Sequence, residues 1–128
     1  MEAASWETAM QELVFSAVDQ AILEISVGDT LLEVEAACSL TTRMAGLAER
    51  DEMPQDGMLF MYDEDVQKGY HRTDMRFPIA IRFYDSAGEL VHVDMDSTIV
   101  KPLVAYRYVL ETHADLELEG TLSIHGLA

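Results

Sequence analysis

The chain has 128 residues, 49% of them hydrophobic, and a formal charge of -16 from 24 acidic and eight basic residues. That is enough length and apolar content for one domain around a single core, and too much for a disordered segment. Eight scattered Lys and Arg argue against direct nucleic-acid binding, which needs them clustered, and no apolar run nears the roughly 18 residues of a membrane span.

Residues 5–20 recur at helical spacing. Trp6, Met10, Leu13, Val14, Ala17 and Val18 share one face, while Glu7, Gln11, Glu12 and Gln20 avoid it. Ser5 is placed to cap such a helix, with Glu7 near the positive end of its dipole. The stripe either covers one side of the core or docks on another subunit through Trp6, Met10 and Leu13. The start, MEAASWETAM, carries no Lys or Arg, so no secretory signal is expected. That places the protein in the cytoplasm, or in a particle such as a virion assembled there. Residues 1–21 are read as a helical extension and 22–128 as the domain proper.

Period two then takes over. Leu23, Ile25 and Val27, then Leu32, Val34 and Ala36, alternate with polar residues around Gly28-Asp29, which predicts a β-hairpin. The one cysteine, Cys38, sits in an apolar run and is expected to be a small buried hydrophobe. A short helix is expected over about 41–50, capped by Thr41 or Thr42, and then a loop to Gly57. Met58–Tyr62 reads as a strand buried on both faces, and Asp63-Glu64-Asp65 as a solvated turn. A crossing segment, Gly69–Met75, leads to Pro78, which opens a strand whose Ile79, Ile81 and Phe83 oppose Ala80, Arg82 and Tyr84. Asp85-Ser86-Ala87-Gly88 is a strong turn into Leu90, Val91 and Val93. Strands at about 105–112 and 121–125 close the chain. The sum is a mainly β (α+β) domain of six to seven short, mostly antiparallel strands. Such a set commonly forms a compact barrel-like unit, because closure removes exposed edges.

Arg43, Gly46-Leu47, Met53-Pro54, Gly57-Met58-Leu59-Phe60, Phe77-Pro78-Ile79-Ala80-Ile81, Phe83, Asp85, Gly88 and Tyr108-Val109-Leu110-Glu111 resemble, in order and spacing, the domain-of-unknown-function 192 family. The match runs over about residues 30–113, and Gly57–Phe60 is its most specific piece. The resemblance implies a compact β-barrel-like domain and no particular activity. This chain departs from the family pattern where Tyr70–Met75 replaces an aromatic pair followed by Met-Lys-Asn-Thr. It departs again where Ala80 and Ala48 replace the family's usual acid and methionine. Loss of part of that polar cluster favours a structural or binding role over retained chemistry.

The densest polar group in the central stretch is His71, Arg72 and Asp74. Crossing one mouth of the barrel, these residues line a pocket with Arg43 and Glu111 in one reading, where arginine suits a carboxylate or phosphate ligand. In the other reading they form an internal ion pair that stitches the segment to the barrel. His92, His113 and His125 are isolated, with no H-x-x-x-H or C-x-x-C spacing, so no metal site is expected. There is no glycine-rich phosphate loop and no nucleophile elbow, and no cofactor or catalytic residue is assigned. The acidity serves solubility or a salty habitat, or else forms a docking face for a basic partner. The preferred reading is a non-catalytic module that binds a protein partner or builds an assembly. The alternative is a small-ligand-binding or hydrolytic domain using Arg43, His71, Arg72, Asp74 and Glu111.

Overall fold

The fold is that of a computed structural model, which describes residues 17–128. Alternation sets its first hairpin. Leu23, Ile25 and Val27 of β1 (Ile22–Val27) and Leu32, Val34 and Ala36 of β2 (Thr30–Ala37) turn inward. The strands pair antiparallel from Val27↔Thr30 to Ile22↔Glu35. A helix of six residues, α1 (Leu40–Ala45), leads to β3 (Met58–Val66), which runs parallel to β2. The chain continues through β4 (Tyr70–His71), β5 (Ile79–Tyr84), β6 (Leu90–Asp94), β7 (Ile99–Val100), β8 (Tyr106–His113) and β9 (Leu122–Leu127). Seven strands form one sheet in the order β6-β5-β8-β3-β2-β1-β9, and β4 and β7 pair in a second, two-stranded sheet.

The large sheet curls into a half-barrel. Its ends approach where the Leu122 amide donates to Gly88 O at 2.8 Å, joining the β5–β6 turn to the start of β9. The middle strands are apolar on both faces, and each face carries its own core. On one face Leu59, Met61, Tyr84 and Leu110 pack with the inward residues of β1 and β2 and with Cys38. On the other, Met58, Phe60, Ile79, Ile81, Phe83 and Val109 pack with Leu47 and Tyr106. This arrangement explains why the central segments read as continuous apolar runs. Gly57 opens β3 because nothing larger fits: a Cβ there would stand 2.4 Å from Glu111 O.

The β1–β2 and β5–β6 hairpins, the two-sided burial of β3 and the burial of Cys38 match expectation. Several details differ. The helix expected over 5–20 falls almost wholly outside the described residues. Its last residues form a turn into β1, with Gln20 at a φ of 67°. α1 is capped by Ser39, not Thr41 or Thr42: its hydroxyl accepts the Thr42 amide, and the Asp19 carboxylate takes the Cys38 and Ser39 amides. Gly46, at a φ of 51°, ends the helix well before residue 50. Asp63-Glu64-Asp65 is extended as part of β3, because Asp65 pairs across to Arg107 of β8 at 2.9 Å.

Candidate functional site

The register of the middle strands places Asp94, Ile81, Glu111, Met58 and Glu35 side by side across one face of the sheet. Three of the five are acids. Glu35 is held by Arg50 at 2.7 Å, and Asp94 by Arg72. Burial works to raise the Asp94 carboxyl, but hydrogen bonds from Arg72 and Ser97 outweigh it and hold its pKa below the usual range. Glu111, between the two, has no ion-pair partner among the described residues. It is 4% exposed, and burial pushes its carboxyl up to about 8, with the nearby Arg72 charge pulling the other way. At neutral pH it is therefore mostly the neutral acid, a hydrogen-bond donor rather than a charge.

Glu111 lines a cleft of about 320 Å³, whose other polar lining comes from Arg43, Tyr62, Lys68, Tyr70, His71 and Thr73. The apolar lining includes Leu40 and Met44 of α1, with Leu47, Phe60 and Met75 beneath. Each polar group is set by the fold. Arg43 is in the last turn of α1, and its Nη1 donates to Cys38 O and, at 2.9 Å, to Met61 O. Its guanidinium carbon sits 4.4 Å from the centre of the Tyr62 ring. The Tyr106 hydroxyl accepts from the Lys68 amide at 3.2 Å and donates to Lys68 O at 2.9 Å, fixing that residue's backbone. The Lys68 ammonium then reaches to 5.6 Å from the same Tyr62 ring. The Tyr62 and Tyr70 hydroxyls share a hydrogen bond of 2.8 Å. Tyr70 stands edge-on to Phe60 and Phe83, and burial holds its hydroxyl pKa well above the ordinary value.

Of the five residues expected at a pocket, Arg43, His71 and Glu111 line this cleft. Arg72 does not. Its guanidinium binds Asp94, Ser97 O and, at 3.1 Å, Ile79 O, so it ties the β4 segment to β5 and β6. Asp74 is exposed in a turn at a φ of 63°, and its carbonyl accepts the Glu49 amide at 2.8 Å. Trp6, Met10 and Leu13, expected to dock on a partner, lie outside the described residues. Tyr62, Lys68 and Tyr70, which also line the cleft, are not among the residues expected there from sequence. For the tyrosines the available signal was aromatic residues at polar-facing strand ends. For Lys68 it was a cation followed by Gly69 in an acidic chain. Asp94 pairs with Arg72, while Asp96, two residues on, is exposed beyond β6. Among the described residues no three His, Cys, Asp or Glu gather to hold a metal, and no helix is long and apolar enough to cross a membrane.

A family model, DUF192, described as an uncharacterised ACR, matches residues 22–122. No curated protein matches the chain. Two solved structures resemble it. A protein of unknown function from Novosphingobium aromaticivorans DSM 12444 is 18% identical, with a TM-score of 0.67, over 80% of this chain and 84% of that one. A protein described as a "putative transcription regulator" from Sinorhizobium meliloti 1021 is 22% identical, with a TM-score of 0.68, over 81% of this chain and 92% of that one. At these identities the likeness concerns the fold alone.

Proposed function

The chain belongs to the DUF192 family, and on that premise we propose that it is a small-molecule-binding module whose site is the cleft above Glu111. One observation carries the reading. In a row of three carboxyls across the sheet, the outer two each have an arginine, while the middle one is buried, has no counter-ion among the described residues and lines the cleft. Burying an unpaired carboxyl is unfavourable, and a fold tolerates it where it serves a site. The volume, the aromatic walls and the few convergent polar groups fit a ligand pocket at the small end of the usual size range. The test is thermal unfolding across a metabolite panel. At least one compound raises the melting temperature of the wild type; Arg43→Ala removes that shift and Asp74→Ala keeps it. Equal shifts in both variants would move the site elsewhere.

A second reading, a docking face for a protein partner, draws on one feature. Ile99, Leu103 and Val104 stand 71%, 95% and 50% exposed on and after β7. Light scattering that found a monomer, together with a pull-down that retained no partner, would count against it.

A further inference from the structure

The basic residues are few enough to follow one by one. The chain has eight. Arg50, Arg72, Arg76 and Arg107 are each paired with an acid. Arg82 is buried on the far face of the sheet, donating to Thr112 Oγ1 at 3.2 Å and Leu116 O at 3.0 Å. Arg43, Lys68 and Lys101 remain without an acidic partner among the described residues, and two of these three line one cleft. With 24 acids in the chain, partners were abundant. Both protein hydrogen bonds of Arg43 use Nη1, which leaves Nε and Nη2 free of protein acceptors among the described residues. Among the described residues the only acid lining the cleft is Glu111.

Resting on the binding reading above, we propose that the cleft takes a small organic carboxylate. Its charge sits between the Arg43 guanidinium and the Lys68 ammonium, and its short apolar tail lies along Leu40 and Met44. The Nε and Nη2 edge of an arginine matches a planar carboxylate by two parallel hydrogen bonds. Leu40 and Met44 are exposed at the rim and supply apolar surface where a tail leaves the polar floor. A phosphate fits less well. Phosphate sites recruit backbone amides at helix starts or glycine nests, and here the start of α1 already carries the Asp19 carboxylate, which takes the Cys38 and Ser39 amides and repels a second anion. Glu111 in its neutral form adds a donor to the floor and no repulsion.

The test is an amide-resolved NMR titration of the full chain at pH 7 with hexanoate, hexanamide, hexylamine and inorganic phosphate. Hexanoate shifts the Lys68 and Tyr70 amides in a saturable way, and the amide and the amine bind at least about tenfold more weakly. Lys68→Gln, a change at an exposed side chain that leaves the fold intact, and Arg43→Gln each weaken hexanoate about tenfold, the scale of one charge-assisted hydrogen bond. Hexanamide or hexylamine binding as well as hexanoate, or phosphate binding more tightly, would overturn the carboxylate assignment and leave the cleft a binding site. Silence at the cleft for all four probes, together with no hit in the metabolite panel, would overturn both.

Discussion

Glu111 shows how one residue's surroundings set a measurable property of the whole. Its carboxyl titrates near 8 in the folded chain, against about 4.5 for an ordinary glutamate. Between those values the folded state holds a proton that the unfolded state has released. Stability therefore falls as pH rises from about 4.5 to about 8, and the loss levels off above that range. Glu111→Gln, which keeps the shape and cannot ionise, removes this slope. The stability gain of the variant over wild type should be smallest near pH 4.5 and grow to a plateau above pH 8, amounting to roughly a few kcal/mol at most, with the melting temperature rising in step. A gain independent of pH, read by calorimetry at several pH values, would show that Glu111 is ionised throughout. The same scale explains what the sequence hid at the site. His71, Arg72 and Asp74 are neighbours in the chain, but β4 sends Arg72 beneath the segment to Asp94 while His71 faces the cleft. Sequence proximity does not say which side a residue takes when the strand is two residues long.

Among the elements, legibility followed the distance over which each was specified. The β5–β6 hairpin was plain because its turn is local: Asp85 Oδ1 accepts the Ala87 and Glu89 amides at 2.9 Å, and Gly88 takes a φ of 82°. The parallel contact of β2 with β3 was not legible, since it pairs Glu35–Ala37 with Met58–Phe60 across α1 and a long loop. β4 and β7 were missed because a two-residue strand has no periodicity to read. Asp63–Asp65 looked like a turn by composition, and the ion pair to Arg107 on the adjacent strand overrode that preference. Gly88 has a second duty beyond the turn. A Cβ there would stand 2.2 Å from Leu122 O, where the hairpin meets β9. Gly88→Ala should destabilise by about 2 kcal/mol or more through the left-handed backbone and the clash. Gly69→Ala, whose nearest neighbour would be Val100 O at 3.7 Å, should be neutral or slightly stabilising. Urea unfolding of the two variants checks the contrast, and equal effects would show that the hairpin does not press on β9.

For the molecule as a whole, the fold class was written in the alternation and the apolar runs, and the half-barrel follows from them. The charge of -16 acts at this scale too. Self-repulsion of so acidic a chain opposes compaction, and salt relieves it by shortening the screening length from about 10 Å at 0.1 M to about 3 Å at 1 M. Raising sodium chloride over that range at pH 7 should lift the melting temperature. A fall would mean that the surface ion pairs of Arg76 and Arg107 outweigh the repulsion.

The join between Gly88 and Leu122 has a kinetic consequence. A closed barrel would zip its first and last strands along a full ladder, but here the gap between β6 and β9 is bridged by a single backbone bond. The half-barrel can gape at that point without unravelling any strand pair. The Leu122 amide should accordingly trade its proton for deuterium much sooner than the amides of β8, which are laddered on both sides.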